Sequence, residues 1–197
     1  MWYKLCKWEV IDIQIEIIHD NNLEIDWFHT TGQYDKFFVT VDEDDYTKAT
    51  SELMQKLAVK LLSFPFYLHF EGYDDTILET LKQGKCFSIK YRDSKRRILT
   101  YSDGKNYLAE VPGYTVKIKD ELQLDAVFCD WFDLACANNM WVITKNSSIS
   151  YIKKYAFFTD PLILFTNHDA YGFTLLSQSK NLQTVKQVFD FVRSVEK

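Results

Sequence analysis

Four consecutive carboxylates form the densest group of chemically useful side chains in this sequence. They lie in the stretch VTVDEDDYTKA, which passes from an apolar, strand-like segment into a helical pattern. Clustered carboxylates can hold a divalent cation, attract a basic partner or cap the first turn of a helix. The four acids are Asp42, Glu43, Asp44 and Asp45.

Helix capping is the simplest use of these acids. Apolar residues recur at helical spacing from Tyr46 to Leu62, with charged residues on the other side. Asp44 or Asp45 is therefore predicted to accept hydrogen bonds from the first turn and to complement the positive end of the helix dipole. This use accounts for two of the acids without any further function.

The same segment also suggests an enzyme. FFVTVDEDDYT resembles the strand and Asp-x-Asp motif that open phosphatases of the haloacid dehalogenase family, which implies Asp42 as nucleophile and Asp44 as acid/base. The Gly-Thr expected after the second Asp is replaced here by Asp45-Tyr46, and the hairpin-rich pattern around it differs from that family's parallel sheet. A metal-dependent hydrolase or nuclease is kept as the alternative function.

The histidines give little support for catalysis. His19, His29, His69 and His168 show neither HxxxH nor HExxH spacing, and each is predicted to be a surface, turn or half-buried residue. The stretch TNHDAYGF places His168 beside Asp169, a pair capable of acid/base work but also common in turns. The GxSxG, Walker and GxGxxG signatures are absent from the sequence.

Charge is distributed unevenly along the chain, whose net charge is −5. Residues 1–83 carry 7 Lys/Arg against 16 Asp/Glu, whereas residues 84–197 carry 16 against 12. This asymmetry favours an acidic binding surface in the first part of the chain. Asp74 and Asp75 would extend this surface, and Trp27 and Tyr46 are aromatic candidates beside it.

Residues 85–119 form a basic segment with 9 Lys/Arg against 3 Asp/Glu. Tyrosines interleave with the cations, a pattern compatible with a nucleic-acid surface. Because the whole chain is acidic, nucleic acid is ranked behind a protein partner. The cations are Lys90, Arg92, Lys95, Arg96, Arg97, Lys117 and Lys119, and the tyrosines are Tyr91, Tyr101 and Tyr107.

In the first part of the chain, WEVIDIQIEII alternates isoleucine with polar residues and predicts an antiparallel strand. The segment from Leu23 to Thr30 is expected to return as the second arm of a hairpin, with KFFVTV as a third strand. After the helix, Phe66 to Phe70 is a predicted strand. A short helix capped by Asp74 or Asp75 is predicted to run through Leu81.

In the second part, residues 86–119 predict a meander of four short strands, with turns at DSK, SDGK and Pro112-Gly113. One core helix is predicted over LQLDAVFCDWFDLACANN. Strands follow at MWVITK, SISYIKKYAFF, PLILF and GFTLL, and a C-terminal helix is expected to begin at Ser179 or Asn181.

These elements predict an α+β fold, with antiparallel sheets of hairpins and meanders packed against about three to four helices. We expect one compact domain over residues 1–197, with lobes at about 1–83 and 84–197 as the other division. A cytoplasmic location without membrane insertion is expected, because neither a secretory signal nor a long apolar run is visible. The four scattered cysteines are expected to be free and buried.

The leading functional hypothesis is a non-enzymatic binding protein of the immunity or inhibitor type. It would neutralise a basic partner, such as a nuclease toxin, through an acidic surface, with no cofactor or bound metal. The oligomeric state is left open. The residues assigned to partner binding are Asp42, Glu43, Asp44, Asp45, Tyr46, Asp74, Asp75 and Trp27.

Overall fold

The structure is a computed structural model that describes residues 14–22, 25, 28–71, 87–135, 140–153, 155–166 and 171–195. The strands are β1 Gln14–His19, β2 Phe28–Thr30, β3 Asp35–Asp42, β4 Phe66–Glu71, β5 Ser88–Ser102, β6 Lys105–Ile118, β7 Met140–Thr144, β8 Ser150–Ile152, β9 Tyr155–Phe158, β10 Leu162–Thr166 and β11 Phe173–Ser177. The helices are α1 Tyr46–Leu62, α2 Glu121–Asp125, α3 Phe128–Ala135 and α4 Val185–Val195.

A large antiparallel sheet dominates the part of the chain that the structure describes. Its eight strands lie in the order β1-β3-β11-β10-β7-β4-β6-β5, and each neighbouring pair is antiparallel. A second sheet has the order β2-β9-β8. The expected α+β class is thereby confirmed, with sheet predominating over helix.

The central strands of the large sheet are covered on both faces. On one face, α1, α3 and α4 pack over a core that includes Phe37, Leu68 and Trp141. On the other face, the three-stranded sheet encloses a smaller core that includes Phe28, Phe158 and Phe165. Strands at the centre of the large sheet are therefore apolar on both sides, as the continuous run in PLILF reflects.

The prediction for α1 is confirmed. The helix runs from Tyr46 to Leu62, and the Asp45 side chain accepts a hydrogen bond from the Lys48 backbone N–H at 3.2 Å. Its buried side chains recur three and four residues apart, because only one side of the helix faces the sheet. Asp45, rather than Asp44, is the cap.

The predicted hairpin between the first two strands is wrong. β1 pairs with β3, whereas Phe28–Thr30 joins the small sheet and pairs in parallel with β9. The buried ring of Phe28 explains this pairing, since it packs edge-on against Phe158 and Phe165. Burial of one aromatic side chain in a distant cluster outweighs the proximity of the two segments in sequence.

The predicted four-stranded meander is also wrong. Residues 88–118 form two long strands joined at Asp103-Gly104. The DSK segment is a bulge rather than a turn, in which the Ser94 hydroxyl donates to the Val111 carbonyl. Pro112 lies in β6 beside this bulge, where a missing N–H is tolerated.

The single predicted helix over residues 122–139 is interrupted. α2 begins after Asp120, which accepts from the Gln123 N–H at 2.9 Å, and α3 begins at Phe128. The Cys129 thiol is exposed, contrary to its expected burial. The other three cysteines lie outside the described residues.

The C-terminal helix begins later than predicted, after Thr184 instead of Ser179 or Asn181. Gln187 accepts from the Thr184 N–H at 3.0 Å, and Thr184 Oγ1 accepts from the Gln187 N–H at 3.3 Å. This reciprocal pair is a capping box. None of the helices that the structure describes is long and apolar enough to cross a membrane.

Gly172 fixes the approach of the segment before β11 to β3. Its φ is +91°, and a side chain there would collide with the Val39 carbonyl and lie 2.9 Å from Thr40 Cγ2. Gly32 has a similar φ of +96°, but a Cβ there would meet only the end of the Gln178 side chain, at 2.7 Å. The two positions share a positive φ, but a Cβ would meet backbone at Gly172 and the end of a flexible side chain at Gly32.

We therefore expect Gly172→Ala to lower the free energy of unfolding by more than Gly32→Ala does. Gly32→Ala should cost about 1 kcal/mol, because it adds only left-handed backbone strain. Gly172→Ala should cost at least about 2 kcal/mol, because the Val39 carbonyl of β3, a strand that is paired on both sides, must also move. Urea unfolding of both variants measures the difference. Equal losses would contradict the close approach of Gly172 to β3.

Candidate functional site

The predicted acids lie at the end of β3 and the start of α1. Asp42 is exposed and shares its face of the large sheet with Phe38, whereas Val39 and Val41 point into the helix-covered core. Asp42 therefore projects from the face opposite the helices. Glu43 is half-buried, and Asp44 and Asp45 are exposed.

The neighbouring strand β1 adds residues to the same face. Register pairs Ile18 with Phe38 and Glu16 with Thr40, so both β1 side chains point away from the helices. Glu16 is exposed, and Ile18 is 44% exposed. Lys36 is the cation on this face, two residues before Phe38.

Aromatic rings border these acids. The Tyr46 ring meets the Tyr171 ring edge-on at 5.8 Å, and Tyr171 lies 6.5 Å from the Phe38 ring. Tyr171 is 56% exposed and Tyr46 is also exposed. We call the whole group the acidic aromatic surface. Its residues are Glu16, Ile18, Phe38, Asp42, Glu43, Asp44, Asp45, Tyr46 and Tyr171.

The structure thus brings five of the predicted binding residues together and adds aromatic neighbours that the sequence pattern did not assign to them. The other predicted residues, Trp27, Asp74 and Asp75, lie outside the described residues, as do His168 and Asp169. Tyr171 was predicted only as part of a turn. Its contact with Tyr46 joins residues 125 positions apart, for which the sequence carries no local signal.

The surroundings of Asp42 differ from those of a haloacid dehalogenase nucleophile. β3 is antiparallel to both of its neighbours, β1 and β11, so the parallel sheet implied by the resemblance is not formed around it. Within the described ranges, no group of three or more His, Cys, Asp or Glu side chains is placed to hold a metal ion.

A second concentration of ionisable groups lies between the two sheets. Glu71, which is 1% exposed, accepts from the Tyr151 hydroxyl at 2.6 Å and pairs with the Arg96 guanidinium at 3.1 Å. Arg92 donates to the Tyr151 oxygen at 2.7 Å and to Thr115 Oγ1 at 2.9 Å. Burial raises the pKa of Glu71, and the Tyr151 hydrogen bond and the two cations oppose that rise.

His69 continues this network. Its Nδ1 lies 3.0 Å from Thr115 Oγ1 and its Nε2 lies 2.9 Å from Thr144 Oγ1. Thr144 donates its own hydrogen to the Asn146 carbonyl, so it must accept from an Nε2–H. Thr115 accepts from Arg92 and donates to the bare Nδ1. The hydrogen-bond pattern therefore assigns one neutral tautomer to His69.

Asp160 ends the network. Its Oδ1 accepts from the Asn146 backbone N–H at 2.8 Å and from the Asn146 side chain at 2.9 Å. Tyr34 donates to the Asp160 carbonyl at 2.8 Å. We call the connected set the buried polar chain. It comprises Arg96, Glu71, Tyr151, Arg92, Thr115, His69, Thr144, Asn146 and Asp160.

Gly113 makes room for this arrangement. A Cβ at Gly113 would lie 2.8 Å from Arg92 Cγ and 2.9 Å from its Nε, so the Arg92 side chain occupies that space. Since Gly113 is paired with Arg92 in the sheet, the missing side chain lets the guanidinium lie across β6 toward Tyr151. Sequence reasoning assigned Gly113 to a turn instead.

The buried polar chain corrects two sequence expectations. His69, predicted at the surface or half-buried, is fully buried. The basic segment is only in part a free cationic surface, because Arg92 and Arg96 point into the protein and the exposed Arg97 pairs with Glu110 at 2.9 Å. An Arg or His next to an apolar residue has no sequence signature that separates an inward from an outward side chain.

The fold and the surface together define a sheet-dominated α+β protein with an acidic, aromatic face at one sheet edge. Comparison of the chain with protein-family models, curated proteins and solved structures gave no match.

The buried His69 predicts a pH-dependent loss of stability. Burial, helped by the charge of Arg92, lowers the pKa of His69 to about 3, whereas an unfolded histidine titrates near 6.5. The unfolded chain therefore binds an extra proton as the pH falls below 6.5, so stability is lost on acidification. Between pH 7 and pH 5, His69 should contribute a loss of about 2 kcal/mol in the free energy of unfolding.

Replacement of His69 by Gln should remove that contribution and flatten the pH dependence by about the same amount. The pKa values of Glu71 and Asp160 are raised by burial and act in the opposite direction in both proteins, so the difference between proteins is the informative quantity. His29→Gln, at an exposed site, is the control substitution. Urea unfolding at pH 7 and at pH 5 measures the free energy of unfolding of each protein. A slope unchanged by His69→Gln would contradict the neutral buried ring.

Proposed function

We propose that this protein is a non-enzymatic binding protein of the immunity or inhibitor type, which neutralises a basic cytoplasmic partner such as a nuclease toxin. One observation carries the proposal: Tyr46, which directly follows the acids of the β3–α1 junction, contacts the exposed Tyr171, whose ring lies 6.5 Å from that of Phe38. Acids dispersed on their own would serve solubility alone.

The two kinds of side chain have separate roles in this proposal. Carboxylates at the rim attract a basic partner over a distance and raise the association rate. Rings at the centre supply contact area with few rotatable bonds and hold the complex together once formed. Tyr46 and Tyr171 are suited to the second role, because each is supported by a neighbouring ring and still exposed.

The nucleic-acid alternative has less support from the structure than from the sequence. Three arginines of the basic segment make their contacts within the protein, so the positive charge available to phosphates is lower than the sequence count implies. The remaining cations with described exposed side chains include Lys90 and Lys119. A retardation assay at low salt tests this alternative directly.

Single substitutions in the acidic aromatic surface should weaken partner binding in two distinguishable ways. The first partner to purify is the product of the gene adjacent to this one. Asp42→Lys should lower the association rate about three-fold to ten-fold at low ionic strength and less at high salt, because it reverses a rim charge. Tyr171→Ala should raise the dissociation constant roughly 30-fold, or about 2 kcal/mol, mainly through faster dissociation.

Matched controls use residues elsewhere on the molecule. Asp190→Lys, on the exposed side of α4, and Tyr91→Ala, at a tyrosine that is 65% exposed, should change neither rate by more than two-fold, a tolerance of about 0.4 kcal/mol. Surface plasmon resonance at two salt concentrations separates the rates. Equal effects of Asp42→Lys and Asp190→Lys would show that net charge, rather than this surface, governs binding.

A metal titration separates this proposal from the hydrolase alternative. A binding protein without a metal site should keep its thermal midpoint within about 1 °C when Mg²⁺ or Mn²⁺ is added, since only a ligand of the folded state stabilises it. A saturable rise in the midpoint that Asp42→Asn abolishes would instead support a metal-dependent hydrolase. Differential scanning calorimetry is the measurement.

A further inference from the structure

The ends of β5 and β6 beyond the bulge form a protruding hairpin. We call residues 97–110 the arm. Leu99 is 68% exposed, Tyr101 is 70% exposed and Leu108 is 63% exposed. These fractions are high for large apolar side chains. They show that neither the helices nor the small sheet covers this face of the arm.

The arm has a defined geometry. Asp103 and Gly104 both have positive φ, at 52° and 75°, and connect Ser102 to its partner Lys105. Two such residues match the type I′ turn, whose twist suits a two-stranded ribbon. The arm is therefore a regular hairpin with a fixed register.

The register places four informative side chains on one face. Leu99 is directly opposite Leu108, and Arg97 is directly opposite Glu110, with the guanidinium 2.9 Å from the carboxylate. Directly paired residues share a face, as do residues two positions apart on one strand. This face therefore has an apolar pair, with a cation on the β5 side and an anion on the β6 side.

The charges of this face cancel, in contrast to those of the acidic aromatic surface. A strongly acidic or basic partner would gain nothing from it. A hairpin of two strands is only marginally stable in water by itself, and exposed apolar pairs mark contact surfaces. The face suits an occupant with the same apolar centre and the opposite arrangement of charges.

We propose that the arm is a dimerisation element that packs face to face on the arm of a second copy of this chain. Rotation by 180° about an axis along the arm places β5 of one copy over β6 of the other. Leu99 then meets the partner's Leu108, and Arg97 faces the partner's Glu110. The interface is therefore self-complementary in its apolar contacts and in its charges.

An alternative contact between copies, along the outer edge of β5, is disfavoured by charge. β5 carries the exposed cations Lys90 and Arg97, so antiparallel pairing of two β5 strands would bring like charges together. The proposed contact also involves only a few side chains of each copy, so it is smaller than the roughly 800 Å² per partner of a stable interface. The dimer is therefore a weak one that forms at micromolar concentration or above.

This inference is independent of the proposed binding function. β5 lies at one edge of the large sheet, and β1 and β3 lie at the other. Two copies joined through their arms would leave both acidic aromatic surfaces free. A dimer would thus present two binding surfaces to its partners.

Sedimentation equilibrium of the full chain from about 1 μM to about 300 μM tests the proposal. Wild type should show a monomer–dimer equilibrium, and Leu99→Ser should weaken dimerisation at least ten-fold. Leu122→Ser, at a leucine that is 82% exposed on α2, is the matched control and should leave the equilibrium unchanged. Circular dichroism and the thermal midpoint establish that each variant is folded.

Exchange of the two charges provides a second, independent test. Arg97→Glu and Glu110→Arg should each weaken the dimer, and the double variant should restore it, because the exchanged charges again face each other. A chain that stays monomeric throughout the range, or a dimer that none of these variants alters, overturns the proposal. Monomer that binds anionic lipid vesicles through Leu99 would also overturn it and assign the arm to a membrane surface.

Discussion

Burial of both faces of the central strands of the large sheet is the constraint on which the rest of the structure depends. Ile163 and Phe165 point to the small sheet, while Leu164 between them points to the helices. Without the small sheet, one of these apolar faces would be exposed to water. The parallel pairing of β2 with β9 and the separation of β2 from β1 both follow from that requirement.

The same two-sided burial explains the buried polar chain. Polar residues of β4 and β6 that face the small sheet have lost water, so each needs a partner within the protein. Arg92, Tyr151 and Glu71 satisfy one another across the two sheets. A buried ion pair gives little net stability because desolvation offsets it, but a wrong placement of β8 would leave several groups unpaired. We infer that the hydrogen bonds of the buried polar chain select one position of the small sheet on the large sheet.

The inward orientation of Arg92 and Arg96 also changes the charge of the protein surface. Positive charge that the sequence places in one basic segment is partly neutralised inside the protein, while the carboxylates of the β3–α1 junction stay outside. The two edges of the large sheet then differ in character. One edge presents acids and rings, and the other presents a neutral apolar arm, so each is suited to a different kind of contact.

The sequence by itself determined the features that arise from neighbouring residues. α1 and its Asp45 cap, the central strands and the Asp103-Gly104 turn were predictable, because periodicity, capping and turn chemistry act over a few residues. The Thr184–Gln187 capping box has a local signal of the same kind. Only the tertiary structure decided the pairing of β2, the inward direction of Arg92 and Arg96, the burial of His69 and the contact of Tyr171 with Tyr46. Each of these depends on partners far away in sequence, whose packing overrides local preference.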